Sequence, residues 1–237
     1  MTDLFPLRLR KAESSRRGKR LVGPIDLELD GTGTTVVLGP NGSGKTTLLR
    51  LMHGAARLSA GSLEWACDME TAQGAQAFVF QRPVMLRRSV LENLIYPLRM
   101  RGVPRAQARR QAENWAERTG LSTLLERSAP ALSGGEQQKL AIARALITSP
   151  KLVFFDEPTA ALDGRATRAI EEILAQTKAA GTRLILSTHD MGQARRLADK
   201  CVFLLGGQIA EVSPADRFFG NPQTQEAKAF LRGDIVE

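Results

Sequence analysis

The stretch GPNGSGKT, residues 39–46, fits the spacing G-x-x-x-x-G-K-[ST]. Gly39, Pro40 and Asn41 enter the loop, and Gly42, Ser43 and Gly44 turn it. Without side chains at the glycines, successive backbone N–H groups can converge on one point, and that geometry suits a phosphate oxygen. Lys45 adds a positive charge for the β- and γ-phosphates of a nucleotide, Thr46 offers a hydroxyl to Mg²⁺, and Thr47 continues into a helix whose N-terminus favours an anion.

A second stretch, LVFFDE (152–157), ends an apolar run in two carboxylates. Asp156 is placed to hold Mg²⁺ through its hydration shell, and Glu157 to orient or deprotonate an attacking water. The third stretch is LSGGEQQ (132–138). Ser133, Gly134 and Gly135 stand before a run that reads as helix, and Glu136 follows Ser133 at capping-box spacing, so a second anion-binding helix start is expected here. One nucleotide does not need two such grips within one chain.

These residues require particular elements around them. TTVVLGP (34–40) reads as a buried strand ending in a turn, with TTLLRLMHGA continuing as helix; AQAFVFQ (75–81) reads as a further strand. Helices are then expected from Ser89 (SVLENLIYPLRM) and over PRAQARRQAENWAERTGL, with Pro104 in the first turn and Gly120 as the stop. KLVFFDE (151–157) is apolar on both faces, as a central parallel strand requires. ATRAIEEILAQTKAAG is an amphipathic helix closed by Gly181, TRLILSTHD (182–190) another buried strand, and CVFLLGGQIAEVS (201–213) a hairpin about Gly206-Gly207. The pattern is α/β: a core over 1–81 and 150–237 with a helical block inserted at 82–149, all one domain.

At 237 residues with 43% hydrophobic and 24% charged side chains, the chain has the composition of a soluble globular protein. MTDLFPLRLRKAE lacks the pattern of a signal peptide, and apolar runs such as LVFF and VFLL are too short to span a bilayer. Cys67 and Cys201 lie far apart in no metal-ligand spacing and read as reduced thiols. The net charge of +8 is concentrated in RLRKAESSRRGKR (8–20) and RMRGVPRAQARR (99–110). A solvated face, nucleic-acid contact and attraction to an anionic membrane surface all fit it, although neither run interleaves aromatics as single-strand binders do.

GPNGSGKT, Gln81 after a strand, LSGGEQQ, LVFFDEP, ALD at 161–163 and His189 in STHD follow one another in an order that resembles the nucleotide-binding subunit of an ABC transporter over almost the whole chain. The resemblance implies a P-loop NTPase core with a mostly parallel sheet, an antiparallel β edge region and an inserted helical subdomain, using ATP and Mg²⁺. It gives the two anion grips separate partners. Ser133, Gly134 and Gly135, with Gln137, would close over the γ-phosphate held by Lys45 of a second copy, in a head-to-tail homodimer. Gln81 would contact Mg²⁺ and the water, His189 the γ-phosphate, and Asp163 would sit at the dimer interface; His53 is an ordinary helix residue.

In family members an aromatic residue ahead of the phosphate loop stacks on adenine. Here Arg16 or Arg17 occupies that place, and a guanidinium plane can also stack on a base. The segment FQRPVMLRRSVLENL is most similar to tungstate-importer ATPases, and the tail FFGNPQTQEAKAFLRGDIV to those of tungstate and phosphate importers. The resemblance thus implies an oxyanion importer, tungstate first, then phosphate, molybdate or polar amino acids. It would sit on the cytoplasmic face of the plasma membrane, with transmembrane permease subunits, an indirect substrate-binding protein and no nucleic acid as partner. A soluble ABC ATPase acting on nucleic acid or ribosomes is the alternative from another class.

Overall fold

A computed structural model describes residues 3–234 and Val236; Met1 and Thr2 of the N-terminal stretch, and Ile235 and Glu237 of the tail, lie outside the described residues. The chain opens with two long antiparallel strands, β1 (Leu7–Arg16) and β2 (Lys19–Leu29), for which the sequence patterns above gave no individual strands. Then come β3 (Thr34–Leu38), α1 (Lys45–His53), β4 (Ala60–Glu64), α2 (Met69–Gly74) and β5 (Gln76–Val79). The helical block holds α3 (Val90–Met100), α4 (Arg105–Arg118) and α5 (Gly134–Leu146). The chain returns through β6 (Leu152–Asp156), α6 (Gly164–Ala179), β7 (Arg183–Ser187), α7 (Met191–Leu197), β8 (Lys200–Leu205) and β9 (Gln208–Pro214), and closes with α8 (Ala215–Gly220) and α9 (Gln225–Arg232).

Two sheets result. The larger runs β5-β6-β7-β3-β8-β9, parallel except for β9, which pairs antiparallel with β8 as the predicted hairpin. The smaller, order β2-β1-β4, is the antiparallel region. Strand alternation sorts the core onto two faces. Phe154, Ile185, Val202 and Leu204 pack toward the small sheet and α1. Their neighbours Phe155, Leu186 and Phe203 pack on the other face, beneath the helices that carry Ile142, Ile170, Ala194 and Phe218. At about 25 cal/mol per Å² of apolar surface, each such side chain contributes roughly 1.5–3 kcal/mol of burial.

The helical block has its own apolar cluster, formed by Leu91, Leu94, Ala108, Ala112, Leu140 and Ala143 among others. Its alanines let α3, α4 and α5 approach closely. Ser89 and Glu92 form a capping box at the start of α3. Two helix starts differ from expectation. Pro104 caps α4 from an extended conformation rather than occupying its first turn, and α6 begins at Gly164, one residue after its cap Asp163. The side chain of Asp163 accepts the Ala166 N–H at 2.8 Å, which sets that boundary.

Candidate nucleotide site

The C-terminal ends of four adjacent parallel strands, in the order β5-β6-β7-β3, bring the predicted residues together. Gln81 follows β5, Asp156 ends β6 with Glu157 immediately after it, His189 follows β7, and the phosphate loop follows β3. Open α/β sheets bind ligands at this edge. The resulting cleft, about 470 Å³, is lined by Asn41, Lys45, Thr46, Gln81, Glu157 and His189 together with Gly42, Gly44 and Thr47.

The loop can take its path only with glycines at two points. At Gly39, with φ 152°, a Cβ would strike the Leu204 carbonyl oxygen and approach Ser43 Oγ to 2.7 Å. At Gly44, with φ 100°, it would come within 2.5 Å of Val22 Cγ1 on β2. Lys45 is buried, and its Nζ donates to the carbonyls of Gly39 at 2.9 Å and Pro40 at 3.0 Å. Burial pushes its pKa below the ordinary lysine value, while the nearby Glu157 and Asp156 charges pull it back up. Ser43 Oγ is buried without a hydrogen-bond partner among the described residues. Such an orphaned buried hydroxyl in the phosphate loop is unusual, since buried polar groups are ordinarily hydrogen-bonded.

Asp156 is almost fully buried, and its Oδ1 accepts the Thr46 hydroxyl at 2.8 Å, so two of the three residues expected at the metal meet, while the third, Gln81, bonds Glu157. Glu157 takes φ 45°, a left-handed conformation rare outside glycine. Its carboxylate takes two hydrogen-bond contacts on Oε2, from Gln81 Nε2 at 3.2 Å and His189 Nδ1 at 3.1 Å, and forms an ion pair with Lys45 Nζ, 3.6 Å from Oε1. His53 behaves as the ordinary helix residue expected. Its ring packs on Phe78 and Phe154 and its Nδ1 lies 3.0 Å from Gln76 Oε1.

Ser133, Gly134 and Gly135 do not join this cleft. They line a second one of about 530 Å³ with Glu136, Leu162 and Asp163, and the two clefts share no lining residue. The capping box is present: the Ser133 N–H and hydroxyl both donate to Glu136 Oε2 at 2.8 Å, and Ser133 Oγ accepts the Glu136 N–H at 3.4 Å. Gln137 turns to the backbone instead, donating to the carbonyls of Leu132 at 3.0 Å and Pro130 at 3.3 Å. Arg16 is exposed at the end of β1 and Arg17, at φ 52°, begins the turn to β2; neither lines either cleft.

Ser187, inside the STHD stretch, and Gln193, Asn93 and Arg144, outside every motif, also bear on the site without having been singled out in the sequence. Ser187 bonds both Asp156 and the Glu157 backbone. Buried Gln193 on α7 donates to Thr159 Oγ1 at 2.8 Å, joining the segment after His189 to the one after Glu157. Asn93 is fully buried on α3 and bonds the Leu86 N–H and the carbonyls of Leu86, Arg88 and Ser89, pinning the segment that follows Gln81. Arg144 on α5 donates to Asn93 Oδ1 at 3.1 Å and to the Val84 carbonyl at 2.7 Å, and burial lowers its pKa. A polar residue among the leucines of an amphipathic helix, as in VLENLIYPL, is the one sequence signal that marked Asn93.

A phosphate loop at the C-terminal edge of a mostly parallel sheet, two carboxylates at the end of β6 two strands away and an inserted helical block define a P-loop ATPase domain. Residues 22–160 match the ABC transporter family model, and the chain belongs to that family. It is 36% identical over 217 residues to the glutamate transport ATP-binding protein GluA of Corynebacterium efficiens, covering 87% of this chain and 90% of that one. It is 35% identical over 209 residues to the tungstate uptake system ATP-binding protein TupC of Peptoclostridium acidaminophilum, covering 87% and 96%. Among solved structures, cbiO1 from Clostridium perfringens, part of the ABC transporter complex cbiONQ, superimposes with TM-score 0.80 over 97% of this chain and 96% of its own; at 24% identity this establishes the fold. The chain is thus an ABC-type ATPase that binds ATP and couples its hydrolysis to transport. No helix among the described residues is long and apolar enough to cross a membrane.

Proposed function

We propose that the chain works as a head-to-tail pair of identical subunits closing on two ATP molecules, and that it powers an importer of an oxyanion, with tungstate as the first substrate. The observation that carries the pairing is the existence of two separate clefts, one lined by the phosphate loop and the other by the start of α5, which we read as two halves of one phosphate site. One offers Lys45 and the loop N–H groups; the other offers the N-terminus of α5 with the Ser133 hydroxyl. A second copy, related by a two-fold axis, would bring each half against its complement, and an isologous contact closes after two subunits. Asp163, lining the second cleft, would lie at that junction.

The donor set fits Mg²⁺. One hydroxyl, Thr46, and one carboxylate, Asp156, with Gln81 nearby, match an ion that keeps several waters and takes its other oxygens from substrate phosphates. Bound there, Mg²⁺ would neutralise charge on the β- and γ-phosphates. The chain's own residues do the rest. Lys45 and His189 hold the γ-phosphate, and Gln81 orients the attacking water. Glu157 accepts the water's proton as the oxygen bonds to phosphorus and the bond to the ADP oxygen breaks. ATP binding must first draw Lys45, Gln81 and His189 away from the Glu157 carboxylate they share.

The helical block carries a groove of about 320 Å³ lined by Glu92, Ile95, Tyr96 and Arg99 of α3, Arg105 of α4 and Arg88 from the segment pinned by Asn93. This is the face we assign to a transmembrane permease, which would hold the chain on the cytoplasmic side of the membrane. A substrate-binding protein would act through the permease alone.

The ATPase does not touch the cargo, so the tungstate reading rests on the likeness of FQRPVMLRRSVLENL to tungstate-importer ATPases and on the match to TupC along 96% of its length. The match to GluA at 36% identity supports a polar amino acid as the second reading. Uptake by cells lacking the gene decides between them. Loss of high-affinity tungstate accumulation is expected; normal tungstate uptake with a defect in glutamate uptake would replace the first reading by the second.

A further inference from the structure

Ser187 is the last residue of β7 and is fully buried. The parallel ladder sets its Cα opposite that of Asp156. Its hydroxyl donates to Asp156 Oδ1 at 2.9 Å and accepts the Glu157 N–H at 3.1 Å; that same N–H also reaches the Ser187 carbonyl at 3.1 Å. Thr46 Oγ1 also donates to the same Asp156 Oδ1, at 2.8 Å.

The preceding residues of β7, Leu184, Ile185 and Leu186, are all apolar, and an alkyl side chain would serve the core at Ser187 as well as they do. A buried hydroxyl disfavours folding unless it is hydrogen-bonded, and both side-chain bonds of this one go to site residues. The terminal torsion of an aspartate is broad and two-fold, so its carboxylate plane needs outside donors to hold it. Ser187 and Thr46 supply them, both on one oxygen. Glu157 meanwhile sits at φ 45°, which a non-glycine residue keeps only where its surroundings over-determine it. The two acceptors of Ser187 on its N–H do that.

We infer that Ser187 is a positioning residue for hydrolysis, setting the Asp156 carboxylate for Mg²⁺ and the Glu157 backbone for the attacking water through one hydroxyl. The inference rests on the proposed assignment of Mg²⁺ to Thr46 and Asp156. It makes the β6 and β7 strand ends a single unit, so the metal carboxylate and the base cannot shift independently.

The test compares wild type, Ser187→Ala and Ser187→Thr by Mg²⁺ titration of ATP binding, by steady-state ATPase rate and by thermal unfolding without nucleotide. Loss of one buried hydrogen bond predicts that Ser187→Ala needs about five- to tenfold more Mg²⁺ to reach half-maximal ATP binding and loses a similar factor in kcat. Its ATP binding in EDTA should stay within about twofold of wild type, since the phosphate loop is untouched. Ser187→Thr, which keeps the hydroxyl, should restore the Mg²⁺ midpoint. A Ser187→Ala protein with the wild-type midpoint and kcat overturns the inference, and so does a lowered unfolding temperature with both constants unchanged, which would make Ser187 a packing residue. Should Ser187→Thr not fold, the Ser187→Ala midpoint measured against its unfolding temperature decides alone. If wild-type ATP binding shows no Mg²⁺ dependence, the metal assignment itself fails, and that outcome is distinct from a normal Ser187→Ala protein.

Discussion

Nδ1 of His189 stands 3.1 Å from Oε2 of Glu157, although the two residues lie 32 positions apart. They meet because β6 and β7 are parallel neighbours, so the residues that follow them emerge on the same edge of the sheet. Gln81 reaches the same oxygen at 3.2 Å from the end of β5, the next strand over. The carboxylate of Glu157 is therefore the anion around which the cleft's donors are arranged.

Removing that charge separates binding from chemistry. Glu157→Gln keeps the shape but cannot take a proton from water, so turnover should fall by about 10²–10⁴-fold. ATP binding should persist or strengthen, because Lys45 no longer shares its charge with a neighbouring carboxylate. Equilibrium ATP titration and single-turnover hydrolysis check both halves; retained turnover would remove Glu157 from the role of base.

The pairing of clefts is tested at Ser133. In Ser133→Arg a long cation fills the second cleft while the first, which shares no residue with it, is left intact. ATP binding by the single chain should be unchanged, whereas the ATP-held dimer of Glu157→Gln should be lost when the two substitutions are combined. Gel filtration with ATP reads this directly, and a double variant that still dimerises would place the second anion site elsewhere.

The sequence expectation assigns adenine stacking to Arg16 or Arg17; Arg16 lies on an exposed strand end, outside the lining of either cleft. An exposed guanidinium stack contributes only about 0.5–1 kcal/mol. Base discrimination should then be weak, with GTP supporting hydrolysis within roughly tenfold of ATP. Arg16→Tyr, or Arg17→Tyr, should tighten ATP binding modestly without altering kcat. Strong preference for ATP with no gain in either variant would assign the adenine to another side chain.

Asn93 predicts a stability effect. Truncation to alanine leaves the Leu86 N–H and the Arg144 guanidinium without their shared acceptor in a buried setting. Asn93→Ala should destabilise the chain by about 1–3 kcal/mol, measurable by urea unfolding. Hydrogen exchange should rise first over 82–89. Uniform exchange across the chain would show that Asn93 does not pin that segment.

Cys201, fully buried on β8, supplies a pH signature. Burial pushes its thiol pKa up to about 12, with the Glu211 charge adding to the rise. The unfolded chain releases this proton from about pH 8.5 upward while the folded chain retains it, so stability should be full below that pH and decline as pH climbs toward 12. Replacing Cys201 with alanine should flatten that part of the urea-unfolding profile. Native protein at pH 8.5 should also be alkylated at the partly exposed Cys67 and spared at Cys201.

Local chemistry was legible in the sequence wherever it depends on spacing along the chain. The phosphate loop needs its glycines, lysine and threonine within eight positions, the Ser133 capping box spans three, and β6 needs apolar residues on both faces before Asp156; each was readable and each is present. The helical block was readable for the same reason, since helix periodicity and caps are local signals. The first two strands were not: β1 carries three register shifts against β2, and a bulge resets the side-chain alternation on which strand recognition depends. Strand order β5-β6-β7-β3, the convergence of Lys45, Gln81 and His189 on Glu157, and the hydroxyl of Ser187 between Asp156 and Glu157 were decided only by tertiary structure. Ser187 stands in the STHD stretch, but that stretch points to His189, and the part played by the serine comes from the strand packed beside it.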